Sequence, residues 1–313
     1  MAANPVEAST FTHERRWPVS KWVGNAFFVA GLAVAIGFGG NAGAQVEQTG
    51  SEARVTEETP YVQSPKVVVD TMLQMAGVHS GDFLIDLGSG DGRIIVTAAK
   101  EFRARGFGVD YDQRLVGLAN ANAQKAGVAE RASFFEQNIF TTDLGGATVV
   151  TMYLLPEYNS VLKPRLLALK PGTRIVSHDY GIDDWEPDAS KKIAVPEKRV
   201  GLEKASNILF WVVPAKVAGH WRSSIRTKGG VVDVDMLISQ RYQHFAGKVL
   251  LRGQELPIER PFLKGDYISF RVQDGKDTLL FNGRVSNSRI TGTTIRGEEH
   301  TRWRALRTEE LKG

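Results

Sequence analysis

Residues Asp86 to Arg93 read DLGSGDGR, with glycine at positions 88, 90 and 92. An apolar run, FLI, leads in and another, IIVTAAK, leads out. That order makes a strand, a tight turn and a helix, and the glycines let backbone approach a ligand closely. Asp86 and Asp91 bring carboxylates to the turn, and Asp110 ends the next apolar stretch, GFGVD, twenty positions after Gly90. A strand-end acid at that separation can accept both hydroxyls of a ribose. Two cofactor classes use such a loop. Dinucleotides seat a pyrophosphate on the helix N-terminus through G-x-G-x-x-G. Here Gly88, Gly90 and Gly92 give G-x-G-x-G, and a carboxylate at Asp91 would repel an approaching phosphate. S-adenosylmethionine carries an ammonium and a sulfonium and no phosphate, so a carboxylate-lined loop suits it. A NAD-dependent oxidoreductase remains as a rival with the wrong glycine spacing.

The elements around this loop alternate. A helix is expected after Ser64-Pro65, with Ser64 as N-cap and Pro65 at its first position. DFLIDL, GFGVDY, ASFFEQN, ATVVTMYLL, TRIVSHDY and NILFWVVPA read as strands. RIIVTAAKEF, DQRLVGLANANAQKAG (capped by Asp112, closed by Gly127) and EYNSVLKPRLLALK read as helices, the last disturbed at Pro164. Alternation of this kind predicts an α/β fold with a doubly wound, Rossmann-like, mostly parallel sheet over 59–214. After Pro214 seven short strands separated by turns predict a small antiparallel all-β domain, barrel or sandwich, over 215–313. Gly219-His220-Trp221 at its start and Arg304 or Arg307 near its end resemble lipocalin-like barrels.

Upstream, Arg15, Arg16 and Lys21 precede an apolar run from Trp22 to about Gly40, and Ala42-Gly43-Ala44 follows. This is the layout of a secretory signal peptide over 1–44, or of an uncleaved membrane anchor. Either sends the rest of the chain across the membrane, predicting an exported, periplasmic or membrane-anchored protein. Residues 45–58, QVEQTGSEARVTEE, read as a polar linker. The chain of 313 residues is 42% hydrophobic and carries a net charge of +4, which argues against global disorder. From Ala215 onward, eighteen Lys and Arg stand against eleven Asp and Glu, so the positive charge is concentrated there. The absence of cysteine removes disulfides, thiolate nucleophiles and Cys-based zinc sites. The histidines have no metal-ligand spacing, and neither a metal nor a nucleic-acid partner is expected.

DLGSGDGR together with GVD resembles the class I S-adenosylmethionine-dependent methyltransferases. TPYVQSP before the loop and YLLPEYN after it narrow the likeness. They resemble the family that includes the ATP synthase c-subunit lysine methyltransferase and its bacterial relatives, over about Thr59 to Trp185. The resemblance implies S-adenosylmethionine as cofactor and a lysine side chain of a protein as acceptor. It implies that Asp86, Gly88, Gly90, Asp91 and Gly92 contact the methionine part and that Asp110 binds the ribose. Asn138 falls where the family has an acid near the adenine. The N-terminal segment is similar to the family's membrane anchor, whereas the C-terminal β domain has no counterpart in the mitochondrial members.

Methyl transfer is an in-line displacement, for which a protein supplies alignment and a dry cavity. An amine acceptor must also be neutral. Tyr153 can hold a lysine through its ring face and Glu157 can orient the ammonium; alternatively Tyr153 closes the core and Glu157 caps the next helix. His178-Asp179, at the end of a strand, is a candidate catalytic pair. Tyr61 is a cofactor lid or a packed loop aromatic, and Trp185 a lid or a loop anchor. The functional alternative is an exported methyltransferase-like protein that binds without turnover, with the β domain as its interaction module.

Overall fold

The computed structural model describes residues 61–201, 203–227 and 229–310. The signal or anchor expected over 1–44 and the linker over 45–58 lie outside the described residues. Among the described residues no helix is long and apolar enough to cross a membrane.

The first sheet is built from β1 (Phe83–Leu87), β2 (Arg105–Asp110), β3 (Ala132–Glu136), β4 (Val149–Met152), β5 (Arg174–His178), β6 (Ala189–Ala194) and β7 (Ala205–Val212). Their spatial order is β3-β2-β1-β4-β5-β7-β6. β1 to β5 run parallel, and β7 and β6 add antiparallel pairs at one edge. β1 and β4 are buried almost throughout, as parallel strands covered on both faces are. The chain winds one way from β1 to β3 and the other way from β4. The crevice between β1 and β4 is therefore the switch point where open α/β sheets bind ligands.

Helices α1 (Lys66–Met75), α2 (Arg93–Glu101), α3 (Gln113–Lys125) and α4 (Pro156–Leu167) accompany it. Asp112 caps α3, its side chain accepting from the Arg114 N–H at 2.8 Å. Two expectations need correction. Pro65, not Ser64, is the cap of α1, its carbonyl accepting from the N–H groups of Val68 and Val69, while the Ser64 hydroxyl is engaged elsewhere. The last helix runs through Pro164 to Leu167. β6 also escapes a pattern reading: ASKKIA is almost wholly exposed, and it is a strand because it pairs along β7.

The second sheet holds β8 (Gly219–Thr227), β9 (Gly230–Arg241), β10 (His244–Leu251), β11 (Gln254–Pro257), β12 (Glu259–Lys264), β13 (Tyr267–Asp274), β14 (Asp277–Ser286), β15 (Arg289–Arg296) and β16 (Glu299–Glu309). All its pairings are antiparallel, in the order β11-β10-β9-β8-β16-β15-β14-β13-β12. β10 lies against β12 and β11 against β13, so the sheet curls nearly shut into a barrel. The short β11 and the Pro-containing, bulged β12 were not read from the sequence. Inward residues fill the interior: Phe270 and Phe281 stack at 4.8 Å, and Trp303 meets both rings edge-on. Trp221 and Arg307 do come together, the guanidinium lying 4.6 Å from the indole.

The barrel grips the first sheet through the β9–β10 turn. Buried Trp185 donates its indole N–H to Gln243 Oε1 at 2.9 Å, and Gln243 returns a hydrogen bond to the Glu186 carbonyl at 2.7 Å. Arg241 and Tyr242 both reach the Asp184 carboxylate. Trp185 is thus a loop anchor. Trp185→Ala is expected to cost about 3–5 kcal/mol in urea unfolding, from the cavity and from stranding Gln243. A loss below about 1 kcal/mol would show that this junction contributes little.

Candidate active site

β1 ends at Leu87, and the chain then turns sharply through Gly88, Gly90 and Gly92, with φ of +75°, +54° and +78°. At Gly92 a Cβ would stand 2.5 Å from the Phe134 ring and 2.8 Å from the Ala119 Cβ, so this residue lets α2 start against α3 and β3. At Gly90 a Cβ would meet the Tyr61 ring at 2.5 Å: Tyr61 lies over the loop. The turn is held by its neighbour strand, since Asp110 Oδ2 accepts the Gly90 N–H at 2.8 Å and Oδ1 the Asp112 N–H at 3.0 Å.

These residues border a cleft of about 610 Å³. It is lined by Asp86, Gly88, Ser89, Gly90 and Asp91 of the loop, by Asp110 and Tyr111 at the end of β2, by Asn138 and Ile139 after β3, and by Tyr61 and Tyr153. Seven of the eight residues assigned to the cofactor from sequence line it; Gly92 instead starts α2 behind it. Asn138 presents its amide there, with Oδ1 accepting from the Phe140 N–H at 2.8 Å. The volume and the donor set fit an adenosyl cofactor with a cationic methionine end.

Asp86 and Asp91 differ in state. Burial pushes the Asp86 carboxyl up to about 7, against the hydrogen bond from the Thr151 hydroxyl, with the charges of Asp110 and Asp91 adding to the rise. Burial would also raise Asp91, but Arg93 outweighs it and holds the carboxyl below its usual range. Arg93 grips Asp91 through Nε at 2.9 Å and Nη2 at 2.6 Å, and its Nη1 donates to the Ser64 carbonyl. The Asp91 charge is therefore largely neutralised and Asp86 is partly protonated near pH 7, which weakens the electrostatic case against a pyrophosphate that the sequence suggested. Arg93 was missed as a site residue, although its place directly after the last loop glycine was visible.

The four catalytic candidates are not assembled into one group. Tyr153 lines the cleft and also a second one beside it, bordered by Val62, Gln63, His178 and Lys198. Burial, then the charge of Asp179, raises its phenol to about 12. His178 is buried beneath it, the ring centroids 3.9 Å apart. Its Nδ1 meets the Ser64 hydroxyl and its Nε2 the Ser206 hydroxyl, both at 2.9 Å. Burial lowers its pKa to about 4, so the ring is neutral at pH 7. Asp179 accepts from Lys198 Nζ at 2.8 Å and from the Asn207 N–H at 2.9 Å. The pair sits largely buried under Tyr153, its members 3.4 Å apart, with His178 lining the second cleft and joining β5 to β7 and to Ser64 ahead of α1. Glu157 is exposed in the first turn of α4 and borders neither cleft, and it is not the cap either: Leu155 holds that position and no side chain caps the helix.

A family model described as the ANTKMT methyltransferase domain matches residues 86–189. A protein-lysine N-methyltransferase of Saccharolobus islandicus is 48% identical over 136 residues, covering 43% of this chain and 84% of that protein. The mouse adenine nucleotide translocase lysine N-methyltransferase is 30% identical, over 42% of this chain and 58% of its own length. The mouse ATP synthase c-subunit lysine N-methyltransferase is 30% identical, and the chain spans about half of it, 52%. Among solved structures, an RNA methyltransferase from Salinibacter ruber in complex with S-adenosylhomocysteine is 44% identical, over 50% of this chain and 96% of that one, with a TM-score of 0.45. The loop at the switch point and the relative covered over 84% of its length agree, and the chain belongs to the ANTKMT methyltransferase family, enzymes whose cofactor is S-adenosylmethionine.

Proposed function

We propose that the chain transfers a methyl group from S-adenosylmethionine to the side-chain amine of a protein lysine, from a position outside the cytosol or on a membrane set by its N-terminal segment. One observation carries the acceptor reading: the cofactor cleft and the second cleft share Tyr61, Val62, Gln63, Arg93 and Tyr153. A donor in the first and a slender side chain in the second would meet beside the Tyr153 ring. The names of the relatives support lysine as that side chain.

The bound cofactor supplies a methyl on a sulfonium, a good leaving group. The loop from Asp86 to Asp91 holds the methionine end, Asp110 takes the ribose hydroxyls, and Asn138 faces the adenine. The Tyr153 ring face receives the lysine head. Lys66, Arg93, Lys198 and Arg199 border the second cleft, with Glu197 its one carboxylate among the described residues. Lys66, Arg93 and Lys198 are paired with Asp70, Asp91 and Asp179, so loss of water around the incoming amine, more than net positive charge, disfavours its ammonium form and leaves the nucleophilic amine. The proton leaves to water through the open side of that cleft, without a buried base.

Tyr153 then acts through its ring. A phenol raised to about 12 stays protonated at neutral pH, so Tyr153→Phe is expected to keep kcat/KM within about threefold. Tyr153→Ala is expected to lose about thirtyfold or more, by removing the cation–π wall. Transfer of label from methyl-labelled cofactor to protein lysines reads both. Equal losses in the two variants would make the hydroxyl, not the ring, the working group. Tight cofactor binding with no transfer to any protein would favour binding without turnover.

A further inference from the structure

The outside of the barrel carries a charge pattern that the reaction site does not use. Side chains alternate across a strand, and on β16 Arg302 and Arg304 are exposed on either side of buried Trp303. Their partners on β15 are Thr293 and Thr291. Exposed Leu306, next along, faces Arg289 on β15 and Arg222 on β8. Arg226 is exposed further along β8. Arg222 is paired with Asp235 at 3.0 Å. Arg226, Arg289, Arg302 and Arg304 have neither an ion-pair nor a hydrogen-bond partner among the described residues. Exposed Asp233 on β9 faces Ser224, between Arg222 and Arg226, but forms no ion pair among the described residues. Like charges on neighbouring strands repel, so three adjacent strands hold four guanidinium groups without an ion-pair partner against their mutual field. Guanidinium is matched to phosphate and carboxylate oxygens.

Two further features select the kind of phosphate. The residues between the arginines are Thr291, Thr293, Ser224 and Leu306, and no aromatic side chain stands among them to stack a base, as single-stranded nucleic acid sites require. The apolar run from Trp22 to about Gly40, with Arg15, Arg16 and Lys21 before it, ends about twenty residues before Tyr61. Residues 41–60 can extend no further than roughly 65–70 Å, which bounds the distance between Tyr61 and any bilayer that holds that run. We propose that the face formed by Arg226, Arg289, Arg302 and Arg304 docks on anionic phospholipid headgroups. On a membrane, this face would set how the chain sits against the headgroups, whether or not the N-terminal segment is retained as an anchor.

The chain has no cysteine, so Thr293→Cys gives a single labelling position inside the patch. The full chain is incorporated into vesicles of phosphatidylcholine, with or without phosphatidylglycerol, that carry a headgroup nitroxide. Fluorescence of the label should be quenched several-fold more with phosphatidylglycerol present, and the difference should vanish at high salt. A label at Glu130→Cys, outside the barrel, should show no such dependence. Combined R226Q/R289Q/R302Q/R304Q should abolish the lipid dependence while leaving S-adenosylhomocysteine affinity and the melting temperature unchanged, which separates docking from folding and catalysis. Four Arg→Lys changes should retain most of the effect. Quenching that ignores lipid charge, equal quenching at both label positions, or full quenching in the Gln variant would overturn the proposal. So would salt-sensitive binding of an RNA oligonucleotide that depends on the same arginines while the lipid effect is absent.

Discussion

Asp110→Ala is expected to weaken S-adenosylhomocysteine binding by about a hundredfold or more in calorimetry. The carboxylate has two tasks. It ties the loop, one oxygen taking the Gly90 N–H and the other the Asp112 N–H, and its remaining lone pairs face the cleft. Alanine frees the Gly90 amide at a turn where φ is +54°, and removes the acceptor for the ribose. Hydrogen bonds to a charged group contribute about 1.5–3 kcal/mol each, so two lost contacts to the cofactor alone reach the stated range. Asp110→Asn keeps one acceptor oxygen and should fall between. The fold should survive, because β2 is held by β1 and β3 along its length. A well-folded Asp110→Ala chain that binds within tenfold of the parent would remove Asp110 from the ribose and leave it a loop tie.

Asp86→Asn should show opposite effects on stability and binding. With a folded-state pKa of about 7 against 3.8 for the ordinary carboxyl, Asp86 holds its proton more tightly in the fold than in the unfolded chain. Its contribution to stability is therefore fully present below about pH 4 and is lost as pH rises through about 7. Above that, a buried carboxylate stands with one hydroxyl partner, Thr151, and no cation among the described residues. Asparagine removes that charge, and at pH 8 the variant should be more stable by about 2 kcal/mol. A cationic methionine end beside Asp86 supplies the missing countercharge, so binding draws on the ionised form. Affinity for S-adenosylhomocysteine should drop by up to tenfold per pH unit below about 7, and Asp86→Asn should bind weakly with that dependence gone. Calorimetric titrations between pH 6 and 8 with both chains decide it. A parent affinity flat across that window would mean that the cofactor does not sense Asp86.

The parts legible in the sequence were those in which local chemistry fixes the outcome. The glycine loop and Asp112 as a helix cap act on backbone within a few residues, and Asp110 ends the strand beside the loop it ties; each falls where the sequence reading put it. The edge strands were not legible. Lys191 and Lys192 on β6, and Pro261 on β12, are what protected edges carry, and they erase the apolar alternation by which strands are recognised. The setting of His178 was hidden for another reason. It depends on Ser64 and Ser206, 114 and 28 residues away, and nothing in SHDY shows that both ring nitrogens are already engaged. Arg93 shows the converse. A charge next to a motif changes what the motif's own carboxylate can do.

The grip of the β9–β10 turn on Trp185 and Asp184 bears on how the chain divides. Composition and rhythm change at Pro214, and a gene-level reading would cut there. Such a cut would leave the Trp185 indole without its acceptor and Asp184 without Arg241 and Tyr242. The two sheets look like separately inherited modules, yet they share hydrogen bonds that neither keeps alone. The unit of ancestry and the unit of cooperativity have different borders in this chain, and a truncated methyltransferase half would begin life already missing part of its own floor.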